Sequence, residues 1–233
     1  MEGSTYAVPI IPTYVIIPTR DRPQIALDCI ESICHQATTI VILNNGYLPG
    51  RISFQENRPN VFWTDLPQTD SPNIQALWNV GIKFAELATR DIVDEWNVLI
   101  LNDDVICPSN LVEQLNNRMR ATSAVLAYPD QFGGTEEILH KEAAPVDLKT
   151  RITGYAYMLR GESRIRLDEG FGWWYGDDDL DWRCREAGGS LLVPGCAVEH
   201  RYPNAMTNAN PALVAQTAID RQTFINKWGR APH

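Results

Sequence analysis

Apolar positions along the chain follow two rhythms. Short unbroken runs at 13–18 (TYVIIP), 39–43 (TIVIL), 61–64 (VFWT) and 97–101 (NVLIL) have the length and β-branched content of strands. Between them, apolar residues recur every three or four positions. Ile25, Ala26, Cys29, Ile30 and Ile33 form one helical stripe after Pro23, whose missing N–H is not needed in a first turn. Ile74, Leu77, Trp78, Gly81, Ile82 and Ala85 form a second over 73–88. Leu111, Val112, Leu115 and Met119 form a third, opened by Pro108 with Ser109 as the expected cap. The order over the first 120 residues is therefore β-α-β-β-α-β-α, a Rossmann-like half. A continuous run such as NVLIL suits a central parallel strand covered on both faces.

The second half is less periodic. Strands are expected at 124–128, 152–159, 190–193 and 196–199, and a helix at 179–187 that stops at Gly188-Gly189. A closing helix over 211–228 should turn Val214, Ala218, Phe224, Ile225 and Trp228 inward. Residues 131–152 carry no readable pattern. With no repeat, low-complexity segment or linker, one domain over 1–233 is expected, divided into halves at 1–120 and 121–233.

The 233 residues can bury a real core. Lys and Arg number 20 against 29 Asp and Glu, a net charge of −9, which argues against unaided binding of nucleic acid or of an anionic membrane. The five cysteines are scattered and include no CxxC pair, so a zinc ribbon or thioredoxin motif is not expected, and the thiols suit a reducing compartment. Pro9, Pro12 and Pro18 interrupt the apolar N-terminus, which has no basic leader region. Neither a signal peptide nor a membrane span is expected, and the reading is a soluble cytoplasmic protein.

In open α/β sheets, ligands bind beyond the carboxyl ends of the strands. Three polar groups fall there: Thr19/Arg20/Asp21, Asn44/Asn45 and Asn102/Asp103/Asp104. No GxGxxG or GKS/T loop is present to hold phosphates. A divalent cation on Asp104 is the natural counter-charge, because hard cations take oxygen ligands and bridge diphosphates. Further on, FGWWYGDDDLDWR at 171–183 sets Asp177, Asp178 and Asp179 behind a cluster of rings. Adjacent carboxylates repel, so such a run is solvated, paired, or facing a cation or a reacting proton. Rings beside acids suit a pocket that stacks a sugar face.

Six segments, in order, resemble a known family. They are YVIIPTRDRP at 14–23, VILNNG at 41–46, LILNDDVICPSNLVEQL at 99–115, LDEGFGWWYGDDDLDWRCREAGG at 167–189, VPGCAVEHRY at 193–202 and DRQTFINKWG at 220–229. Together they resemble the GT-A nucleotide-sugar glycosyltransferases, close to the inverting enzymes of family 2. FGWWYGDDDL also resembles the acidic motif of the β-galactosyltransferases. The resemblance implies an α/β fold of GT-A type, with a Rossmann-like, mostly parallel sheet flanked by helices. It implies a metal-dependent, inverting hexosyltransferase that moves a sugar from a nucleoside-diphosphate sugar to an acceptor hydroxyl.

Roles then follow residue by residue. Asp104 takes the metal-ligand place of the DxD motif, with Asn102 in place of its first acid and Asp103 near the ribose. His200 takes the second metal-ligand place, for Mn²⁺ or Mg²⁺. Pro18, Thr19, Arg20, Asp21 and Asn44 fall on nucleotide-binding positions. Asp177 takes the place of the general base, and its acidic neighbours would raise its pKa. Trp173 and Trp174 are expected to form the acceptor platform. Asp178 is expected to help bind the acceptor, and Asp179 to do so or to pair with Arg183. Two departures stand out: Gly176 replaces the family's acid before Asp177, and Asn44 replaces the Asp that reads the base. UDP is favoured as the nucleotide. The acceptor could be a glycan, a protein or a modified base. The alternatives are a non-catalytic nucleotide- or sugar-binding module and a sugar nucleotidyltransferase.

Overall fold

The computed structural model describes residues 11–46, 58–68 and 73–233. The first half runs β1 (Thr13–Thr19), α1 (Pro23–Ile33), β2 (Thr39–Asn44), β3 (Val61–Asp65), α2 (Ile74–Thr89), β4 (Asn97–Leu101), β5 (Val105–Ile106) and α3 (Leu111–Arg120). The second runs β6 (Leu126–Pro129), β7 (Ile138–His140), β8 (Ala156–Arg160), α4 (Gly176–Ala187), β9 (Ser190–Val193), β10 (Glu199–His200), α5 (Ala205–Ala209) and α6 (Pro211–Trp228). Eight strands form one sheet in the order β3-β2-β1-β4-β8-β6-β9-β7. Strands β3, β2, β1 and β4 are mutually parallel. Strand β8 is antiparallel between β4 and β6, and β9 is parallel to β6.

The unbroken apolar runs have a simple cause: both faces of the sheet are covered. On one face Val15, Ile17, Ile40, Ile42, Leu99 and Leu101 meet the stripes of α1 and α3. On the other, Ile16, Val41, Leu43, Val98 and Ile100 meet Trp78, Ile82 and Ala85 of α2 and Leu180 and Cys184 of α4. A third cluster joins Phe171 and Trp182 to Phe224 of α6.

Several expected elements shift. Helix α4 starts at Gly176, not 179, so the three acids form its first turn, where the positive end of the helix dipole favours them. Strand β8 begins at Ala156, and β10 is reduced to two residues because it pairs only with β5. Asn110, not Ser109, precedes α3, and it makes no side-chain cap bond. In α6 the buried positions are Leu213, Asp220 and Phe224, while Ala218 is exposed and Val214 is 54% exposed. The inward stripe contains an acid, so hydrophobicity alone points one residue aside. All five cysteines are free, and four are buried. Among the described residues, no helix is long and apolar enough to cross a membrane.

Candidate active site

The parallel strands deliver the polar groups to one edge. At the end of β1, the Thr19 hydroxyl donates to Asp103 Oδ2 at 2.8 Å. Immediately before α1, Arg22 pairs with Asp103 Oδ1 and stands 3.4 Å from Asp104 Oδ2. Asp103 and Asp104 are 2% and 5% exposed. Burial pushes the Asp103 carboxyl up to about 6, against the pull of Arg22 and the Thr19 hydroxyl.

His200 reaches this corner through the small sheet. Strand β10 runs antiparallel to β5 with His200 opposite Val105, and the Arg201 N–H donates to the Asp104 carbonyl at 3.0 Å. The Tyr155 ring lies against the imidazole at a centroid distance of 4.2 Å. His200 Nε2 stands 3.2 Å from Asp104 Oδ1, yet that buried oxygen has no hydrogen-bond partner. An orphaned carboxylate oxygen facing an imidazole nitrogen is a donor pair that suits Mn²⁺ or Mg²⁺. Among the described residues no three His, Cys, Asp or Glu cluster to hold an ion alone, so other oxygen ligands such as water would have to complete its shell.

The acidic run divides its labour. Asp177 faces the cleft and packs on Gly154, where a Cβ would stand 2.6 Å from its Oδ2. Asp178 is buried and paired with Arg151 at 3.0 Å. Burial, then the charge of Asp177, push the Asp178 carboxyl well up, so the crowding expected in this run shows there. Asp179 is fully buried, held by Arg183, Lys227 and the Trp228 indole N–H at 2.8, 2.8 and 2.9 Å. The run is preceded by Tyr175 in the left-handed region, φ 63°, which a non-glycine adopts only under constraint. That constraint comes from α6. Buried Asp220 accepts the backbone N–H groups of Gly172, Trp173 and Trp174 at 3.0, 2.8 and 2.8 Å. The Trp173 indole donates to Thr207 at 2.8 Å.

Among the described residues, Pro18, Asn102, Asp103, Asp104, Trp173, Trp174, Asp177 and His200 line one cavity of about 460 Å³. Arg20, Asp21, Asn44, Asp178 and Asp179 do not line it, and Thr19 acts behind it through Asp103. Asn44 instead donates to Asp65 at 2.9 Å and accepts from the Gly46 N–H at 3.1 Å. Sequence reasoning missed Arg22, Gln75 and Arg151 in the cavity wall. Gln75 explains one departure, because a Cβ on Gly176 would stand 2.3 Å from its amide. The amide fills the room that a side chain at 176 would need. A signal existed only for Arg22, the second arginine of TRDRP.

No family model matches the sequence, and no curated protein matches it. Solved structures do match. S. aureus TarS 1-349 superposes with a TM-score of 0.59 at 10% identity, over 88% of this chain and 65% of its own. The same protein in complex with UDP gives 0.59 at 12% identity, again over 88% and 65%. GalNAc-T7 with UDP, GalNAc and Mn²⁺ gives 0.62 at 13% identity, over 84% of this chain and 45% of its own. At such identities the likeness is one of fold. The chain has a GT-A-type, Rossmann-like α/β fold, with a mixed eight-stranded sheet flanked by helices. It spans about two-thirds of the TarS 1-349 chain and under half of GalNAc-T7.

Proposed function

We propose that the protein is a metal-assisted, inverting glycosyltransferase that uses a nucleoside-diphosphate sugar, with UDP the favoured nucleotide. The observation that carries this reading is that Asp177 opens into the same cavity as the Asp104–His200 pair. The GalNAc-T7 structure holds UDP, GalNAc and Mn²⁺, which supports this choice of ligands.

Asp177 accepts the proton of the acceptor hydroxyl as that oxygen attacks C1 of the sugar. The bond from C1 to the diphosphate breaks on the opposite face, so the anomeric centre inverts. Asp177 stands in the first turn of α4, with its side chain on the cleft. Trp173 and Trp174, held by Asp220, offer ring faces to the acceptor. Asp104 and His200 would hold the divalent ion, which neutralises charge on the departing diphosphate.

The test pairs binding with turnover. UDP should raise the melting temperature with Mn²⁺ and much less with EDTA. Asp177→Asn should lower transfer by about 10²–10⁴-fold, the usual worth of a general base, and leave UDP binding within about twofold. Transfer within about tenfold of wild type in this variant would remove Asp177 as the base. UDP binding with neither transfer nor donor hydrolysis by the wild type would favour the non-catalytic reading.

A further inference from the structure

Asp103 and Asp104 are adjacent acids, both nearly buried, and their nearest counter-charge is Arg22. One guanidinium nitrogen bonds Asp103 Oδ1, and the other stands 3.4 Å from Asp104 Oδ2. Asp104 is thus shared: Oδ2 faces Arg22 and the orphaned Oδ1 faces His200. Arg22 itself lines the cavity and is 23% exposed, so its head sits where an incoming anion would arrive. A cation placed on Asp104 must share that carboxylate with a fixed positive charge, and like charges at such range repel.

We infer that Arg22 is the protein's own counter-ion for this acidic pair and competes with the divalent ion until a diphosphate draws it away. The inference rests on the proposed function for the identity of the anion. A guanidinium prefers the fork of oxygens on a diphosphate as readily as a carboxylate. With Arg22 turned to the nucleotide, Asp104 is free to serve the ion. Metal and nucleotide therefore bind with positive coupling, which by linkage is the same in either order. Arg22 is a positioning residue here, acting on the ion through Asp104.

The test is titration of the full chain with Mn²⁺ alone, followed by calorimetry, comparing wild type with Arg22→Gln and Arg22→Lys. R22Q is expected to bind Mn²⁺ at least about tenfold more tightly than wild type, while R22K, which keeps the charge, stays near wild type. With UDP present, wild-type affinity for Mn²⁺ should rise, and R22Q should gain less. Should R22Q be destabilised, the rise in its melting temperature on adding Mn²⁺ gives the same answer and should exceed that of wild type. Equal or weaker Mn²⁺ binding by R22Q, or none, overturns the inference. Failure of the functional reading shows separately, as no stabilisation of wild type by UDP with Mn²⁺. The titrations without nucleotide decide the role of Arg22 in either case.

Discussion

Asp220→Asn tests how the loop at 172–174 is held. The carboxylate is fully buried and takes four donors: two backbone N–H groups on Oδ2, and the Gly172 N–H and the Gln216 amide on Oδ1. An amide of the same shape offers one oxygen, so two donors lose their acceptor whichever way it is turned. Leaving a buried donor unpaired costs about 1–3 kcal/mol, so the pair costs about 3 kcal/mol. For a chain of this length that lowers the melting temperature by about 6–12 °C. Circular dichroism melts of wild type, D220N and the milder Gln216→Ala measure it. On the proposed function, in which this loop carries Trp173 and Trp174 to the acceptor, the acceptor KM should rise more than kcat falls. A D220N melt within about 2 °C of wild type would refute the accounting.

Two further predictions concern packing and the thiols. Gly81→Ala puts a methyl 2.2 Å from Ile16 Cγ2, between α2 and β1, so overpacking of about 1–3 kcal/mol should exceed the ~1 kcal/mol gained in helix propensity. The variant should melt lower than wild type, and a rise would mean that the helix moves away freely. Burial pushes the Cys107 and Cys196 thiols up to about 12 and Cys29 well up, so at pH 8 they hold almost no thiolate. The partly exposed Cys34 should therefore react first with a disulfide reagent in the native protein, and the rest only on unfolding.

The legible parts of the fold were those with one dominant cause. Strands β1, β2 and β4 are covered on both faces, so their runs are continuous, and α1 and α2 show plain stripes. The corner at Asp104 was legible because strand ends collect polar residues. The illegible parts depend on partners distant in sequence. Strand β10 exists only through β5, and Asp220 is buried only because the 172–174 loop needs an acceptor. Arg151 comes from a stretch with no period, and its pairing with Asp178 joins positions 27 apart. The acidic run begins ahead of the helix expected at 179–187, and only the structure shows that all three acids form that helix's first turn.

The two-residue pairing of β10 with β5 also bears on synthesis. Asp104 lies in the half that is made first, and His200 comes almost a hundred residues later. The parallel strands, Arg22 and Asp103 are all synthesised before His200 exists. The Asp104–His200 corner closes only when Glu199 and His200 lie down beside Val105 and Ile106. The sheet edge that carries Arg22, Asp103 and Asp104 thus precedes, in order of synthesis, the strand that brings His200 to it.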